Sequence, residues 1–161
     1  MSGIEIQRLA WDSCIFLAWF KGEEDKPLAE IEELLNDIAQ ARITLIVSPI
    51  VGAEILDSAG HSPVRNQFRE FMKRTNVIAA NVDFRVAELA ADIREKTREA
   101  EAKKQIKQSV RAADALIVAT AIIYRVDVLH TFDQILLSLD QSPIVSALRI
   151  TTPISAQMRL C

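Results

Sequence analysis

The chain predicts an α/β fold: three layers, with a central, mostly parallel sheet of about five strands between helices. Three observations predict it. Short runs rich in β-branched residues alternate with longer stretches of helical periodicity, the order that builds parallel strands joined by crossover helices. Four Gly and five Pro in 161 residues supply too few turns for an all-β sandwich. No linker, repeat or low-complexity tract divides the chain, so one domain over residues 1–161 is expected.

The elements follow in order. "IEIQRLAW" (Ile4–Trp11) reads as a first strand ending at Asp12, and the apolar "SCIFLAWF" begins a helix. The charged loop Lys21–Asp25 leads to a helix over Pro27–Gln40, with Leu28, Ile31, Leu34, Leu35 and Ile38 on one face. "RITLIVS" (Arg42–Ser48) is the second strand. Ser48-Pro49 then starts a helix carrying Glu54, with Ser as N-cap and Pro at the first helical position. "SPVRNQFREFMKRT" is another helix, begun by Ser62-Pro63. Asn76–Asn81 is the third strand, and Asp83 caps a long amphipathic helix reaching about Lys104. "RAADALIVATAI" (Arg111–Ile122) is the most apolar helix, ending near Tyr124. Val126–Thr131 is the fourth strand, "FDQILLSLD" a short helix or turn, and Val145–Ile150 the last strand.

Composition narrows the function classes. Half the residues are hydrophobic and 25% are charged, as in a globular domain with a sizeable core. Charges interrupt the chain too often for a membrane span, and the N-terminus lacks the layout of a secretion signal. Cys14 and Cys161 form neither a disulfide framework nor a metal-ligand spacing, so a reduced, cytoplasmic protein is expected. The net charge of −3 carries no global signature of a nucleic-acid binder, although a local basic patch remains open.

Most acids fall on solvated helix faces, but four do not. Asp12 ends the first strand, Glu54 lies within the helix after the second, Asp114 opens the most apolar helix, and Asp133 follows the fourth strand. In a doubly wound sheet these points share one edge, where ligands bind. Each acid alone has a plain reading. Asp12 caps a helix, Asp114 complements a helix dipole, and Asp133 is a turn residue; Glu54, among apolar residues, is harder to assign to the surface. Together they would repel, and divalent cations resolve that conflict, because Mg²⁺ and Mn²⁺ prefer hard oxygen ligands.

In order and context the four acids resemble the PIN-domain ribonucleases, most closely the VapC-type toxins of toxin–antitoxin pairs. "LAWDSCIFLAWF" resembles the family's first strand and leading aspartate, Asp12, followed by a small hydroxyl residue, Ser13. "IVSPIVGAEIL" is similar to the segment that delivers the family's glutamate, Glu54; "RAADALIVATAI" matches its aspartate and Ala-rich helix at Asp114; "VLHTFDQIL" resembles its Thr-x-Asp element at Thr131 and Asp133. Two features depart from the pattern: "AKKQIKQSV" before Asp114 is long and charged, and Trp11 is bulky.

The resemblance implies a single PIN-like domain and metal-assisted hydrolysis of RNA phosphodiesters, using one or two Mg²⁺ or Mn²⁺ ions. It implies Asp12, Glu54 and Asp114 as direct ligands. Asp133 would serve a second ion or act through water, and Ser13 or Thr131 would orient water or a phosphate oxygen. It further implies a cognate antitoxin and a homodimer. RNA would reach the acidic edge over the local basic excess Lys103, Lys104, Lys107 and Arg111; ordinary i,i+4 ion pairs on an amphipathic helix explain those charges equally well. The alternatives are a catalytically silent PIN-like module that binds RNA or protein, and, third, a phosphotransfer receiver. The receiver would want a lysine after a late strand and a second acid beside Asp12, and the chain has neither.

Overall fold

The computed structural model describes residues 7–58 and 63–153. Residues 4–6 of the first predicted strand, His61, Ser62 and Cys161 lie outside them. The described strands are β1 (Gln7–Trp11), β2 (Ile43–Val47), β3 (Val77–Ala79), β4 (Val128–His130) and β5 (Arg149–Thr151). The helices are α1 (Ser13–Lys21), α2 (Leu28–Ala39), α3 (Pro49–Ser58), α4 (Val64–Phe71), α5 (Phe84–Ala102), α6 (Ala112–Ile123) and α7 (Gln134–Leu137), with a 3-10 turn at Pro143–Val145.

The sheet order is β3-β2-β1-β4-β5, and every neighbouring pair is parallel. The expected "mostly parallel" sheet is thus parallel throughout. From β1 the chain steps outward through β2 to β3, then crosses back to β4 and on to β5. With the right-handed crossovers usual for parallel strands, this order places α1–α4 on one face and α5–α7 on the other. Accordingly α1 packs against α2, α3 and α4, and α5 against α6. Strand order reverses between β1 and β4, so the crevice beyond their carboxyl ends is where such a sheet binds ligands.

Burial on both faces explains the continuous apolar runs: Leu9, Ala10 and Trp11 are all buried, as are Leu45, Ile46 and Val47. Phe16 anchors the first helical layer, edge-on to Trp11 (5.2 Å), Phe68 (5.6 Å) and Phe71 (5.5 Å). The bulk of Trp11 is therefore core, and its indole Nε1 donates to His130 Nδ1 at 3.2 Å. In the second layer, Ala115, Ala119 and Ala121 are buried and let α6 approach closely, whereas Ala112 is exposed.

Local chemistry accounts for the helix starts. The Ile50 N–H donates to Ser48 Oγ at 3.2 Å, and Val86 N–H to Asp83 Oδ1 at 3.2 Å. The later strands are shorter than predicted. After Ala80 donates to Val47 O, the Asn81 N–H turns to the Tyr124 hydroxyl at 2.7 Å, ending β3. Arg125, at φ 53°, closes α6 and delays β4. The predicted last strand Val145–Ile150 begins late because Ser142-Pro143 sets a 3-10 turn and Ser146, at φ 55°, reverses it.

Candidate active site

Asp12 stands one residue past β1, where its N–H donates to His130 O (3.0 Å) and ties the ends of β1 and β4 together. Oδ1 caps α1 by accepting from the Ser13 N–H at 2.8 Å, and Oδ2 accepts from the Thr131 hydroxyl at 2.8 Å. Thr131 is fully buried, and its oxygen also accepts from the Asp133 N–H at 3.0 Å. Asp133 in turn caps α7, its Oδ1 accepting from Ile135 N–H (2.8 Å) and Leu136 N–H (3.3 Å). Cys14 Sγ accepts from Phe132 N–H at 3.3 Å and lies 3.7 Å from both Asp12 Oδ2 and Thr131 Oγ1. The two strand ends are thus knitted by side chains more than a hundred residues apart.

Asp114 arrives from the other layer, in the first turn of α6. It is buried, and its Oδ2 has no hydrogen-bond partner. The cation beside that oxygen is Arg111, Nε at 3.6 Å, too long for a hydrogen bond. Burial pushes the Asp114 carboxyl above the usual carboxylate range. The charges of Asp12, Asp133 and Glu54 push the same way, and Arg111 opposes them.

These groups surround a cavity of about 400 Å³ lined by Asp12, Ser13, Cys14, Glu54, Arg111, Asp114, Phe132 and Asp133. All four acids singled out in the sequence meet there, with Ser13 and Arg111. Thr131 stands behind Asp12 rather than on the cavity wall. Lys103, Lys104 and Lys107 are exposed and do not line it. Their segment folds back on α5, where Ser109 N–H donates to Glu101 Oε2 (2.9 Å) and Val110 N–H to Thr97 Oγ1 (3.3 Å). His130 is buried, its Nδ1 accepting from Trp11; Asp57 is exposed.

Cys14, which also packs against the core, and Phe132 complete the cavity lining; neither is among the site residues the sequence marks. The one available signal for Cys14 was its place two residues after Asp12, at the start of a helix. Burial, then the Asp12 charge, push its thiol from an ordinary 9.0 up to about 11.

The donors are chemically suited to Mg²⁺ or Mn²⁺: carboxylates, with a buried orphan oxygen among them. As the side chains stand, no three His, Cys, Asp or Glu among the described residues converge on one point. Mg²⁺ does not require three, since one or two carboxylates suffice and waters complete its shell.

Residues 10–141, a span that includes all four acids, match the PIN domain model. The chain belongs to the PIN domain family. Solved structures of similar fold include VapBC2 of Rickettsia felis bound to promoter DNA, at 18% identity and TM-score 0.58, over 89% of this chain and 98% of that one. A toxin–antitoxin complex from Klebsiella pneumoniae aligns at 19% identity and TM-score 0.60, over 91% and 98%. FitAcB of Neisseria gonorrhoeae aligns at 17% and 0.57, over 90% and 97%. No curated protein matches the sequence. In this PIN domain the reversal of strand order between β1 and β4 coincides with the acidic cavity.

Proposed function

We propose that this PIN domain is a divalent-metal-dependent endoribonuclease and the VapC-type toxin of a toxin–antitoxin pair, acting in the cytoplasm. The observation that carries the reading is the buried Asp114 Oδ2, which has no hydrogen-bond donor, stands among three other acids and faces only the solvated Arg111 at 3.6 Å. A fold leaves a charge so placed only where something else neutralises it. Asp12, Glu54 and Asp114 would hold the ion, with Asp133 serving a second ion or acting through water. When bound, Mg²⁺ or Mn²⁺ supplies charge neutralisation at the scissile phosphate and an acidified water.

The chain's own contribution is orientation. Ser13 N–H and Thr131 fix both oxygens of Asp12, and the α7 amides fix one oxygen of Asp133, leaving the other unengaged by those amides. Ser13, on the cavity wall, is placed to orient water or a phosphate oxygen. Lys103, Lys104, Lys107 and Arg111 would contact the RNA backbone.

The test is cleavage of RNA by the purified protein in Mg²⁺ or Mn²⁺, beside an EDTA control and a folded Asp114→Asn variant. Cleavage that needs metal and disappears in the variant supports the reading. Cleavage that persists unchanged in either control sinks it. The similar structure described as a toxin–antitoxin complex from Klebsiella pneumoniae supports an antitoxin partner, which predicts co-purification with the product of an adjacent short gene. Light scattering of the free protein at twice the chain mass checks the expected homodimer.

A further inference from the structure

Among the described residues, Arg111 is the one base that lines the acidic cavity. Its place is poor for a structural residue. It stands immediately before α6, with no side-chain capping bond, and a cation at a helix N-terminus is disfavoured by the helix dipole. Its side chain is 77% exposed, while that of Asp114 is 10% exposed. At 3.6 Å the two form an ion pair without a hydrogen bond, and its cationic half is largely solvated.

We propose that Arg111 is a displaceable counter-ion, which neutralises Asp114 while the cavity lacks a cation and turns to an RNA phosphate once a divalent ion takes its place. The inference rests on reading the cavity as a metal centre. With a divalent charge beside Asp114, the guanidinium would be repelled and would release the carboxylate. The freed side chain already stands at the cavity wall, with five N–H donors in the planar fork that matches phosphate oxygens. Metal and RNA binding are then coupled through one side chain, and each strengthens the other.

The test reads two affinities that move in opposite directions. Arg111→Gln removes the charge, and Arg111→Lys keeps it as a control. Exposure of the site makes both variants expected to fold, which circular dichroism checks. Calorimetric titration with Mn²⁺ at pH 8 and low salt is expected to show Arg111→Gln binding about three- to tenfold tighter than wild type, the gain shrinking as salt is added. Arg111→Lys should stay near wild type. Binding of labelled phosphorothioate poly(U), which resists hydrolysis, should weaken several-fold in Arg111→Gln with Mn²⁺ present and stay nearly unchanged in EDTA. Mn²⁺ affinity that is unchanged or lower in Arg111→Gln overturns the inference, as does an RNA loss equal with and without Mn²⁺. If wild type binds no Mn²⁺ at all, the metal-centre reading fails and takes this inference with it.

Discussion

Asp140 and Asp114 are two carboxylates of one α/β sheet with opposite surroundings. Asp140, in the connection between α7 and β5, accepts from Arg149 Nε (2.9 Å) and Nη2 (3.0 Å) and from the Ile150 N–H (2.8 Å). The Arg149 fork holds its carboxyl below the usual range. Asp114, in the crevice between β1 and β4, is more deeply buried, has an oxygen without a hydrogen bond, and sits above that range. One acid is supplied with donors by the fold, and the other is surrounded by further acids. The contrast separates a carboxylate tied into the fold from one that the fold leaves short of donors.

The largest expected effect lies in activity. Asp114→Asn keeps shape and removes charge, and metal-dependent RNA cleavage should fall by about a thousandfold or more, to the level of the EDTA control. Asp140→Asn should cleave within about twofold of wild type, since nothing in the cavity touches it. Equal losses in the two variants would erase the distinction between these acids.

Thr131→Val comes next. The hydroxyl is fully buried, donates to Asp12 and accepts from the Asp133 N–H. Its removal leaves that N–H unpaired and frees Asp12 to turn, so cleavage should fall by roughly tenfold to a hundredfold and stability by about 1–3 kcal/mol. Urea denaturation and steady-state cleavage on the same preparation check both. A stability loss with full activity would mean that Asp12 needs no orientation from β4.

The alternation of elements was legible because burial on both faces writes near-continuous apolar runs, as in Leu45–Val47. The helix starts at Ser48 and Asp83 were legible because capping is local chemistry. The edges of the later strands were not. Their ends depend on partners distant in sequence, such as the Tyr124 hydroxyl that draws off Asn81. The site followed the same division. Asp12, Asp114 and Asp133 were legible from their places at strand ends and a helix start, and Glu54 from its apolar neighbours within α3. That Thr131 braces Asp12 from behind, or that Cys14 lies on the cavity wall, follows from β1 and β4 being neighbours, which no local pattern records.

Stability sharpens the comparison at a smaller scale. Asp140→Ala should cost about 1–3 kcal/mol near neutrality, through the lost charge-assisted bonds to Arg149 and Ile150. Asp114→Asn, measured in EDTA, should raise Tm instead, because it removes a carboxylate from among others. The pH dependences have opposite signs. The folded-state pKa of Asp140 is lowered, so its contribution is present above the unfolded carboxylate pKa and is lost as pH falls through the folded value. The folded-state pKa of Asp114 is raised, so its penalty is present above the folded value and disappears as pH falls toward the unfolded one. The advantage of Asp114→Asn over wild type should therefore shrink on acidification, ahead of the loss at Asp140. An Asp114→Asn variant less stable than wild type at neutral pH would show that the carboxylate is satisfied after all.

The smallest effect concerns Cys14, where the two kinds of environment meet in one side chain. Its sulfur accepts from Phe132 N–H, as a structural group does, yet it lines the cavity and feels the charge of Asp12. Burial and that charge raise its pKa from 9.0 to about 11, so the thiol stays protonated at neutral pH and is a poor nucleophile. In a Cys161→Ser background, iodoacetamide should modify Cys14 at least about tenfold more slowly than it modifies the urea-unfolded chain. Because the folded state holds this proton more tightly than the unfolded state, stability is unaffected below pH 9.0 and falls as pH rises from there to about 11. Cys14→Ser in the same background should lack that component of the alkaline decline while cleaving RNA within about twofold. Rapid alkylation of the folded protein would place the thiol on the reactive side of the comparison, as a nucleophile beside Asp12 rather than a structural acceptor for Phe132 N–H.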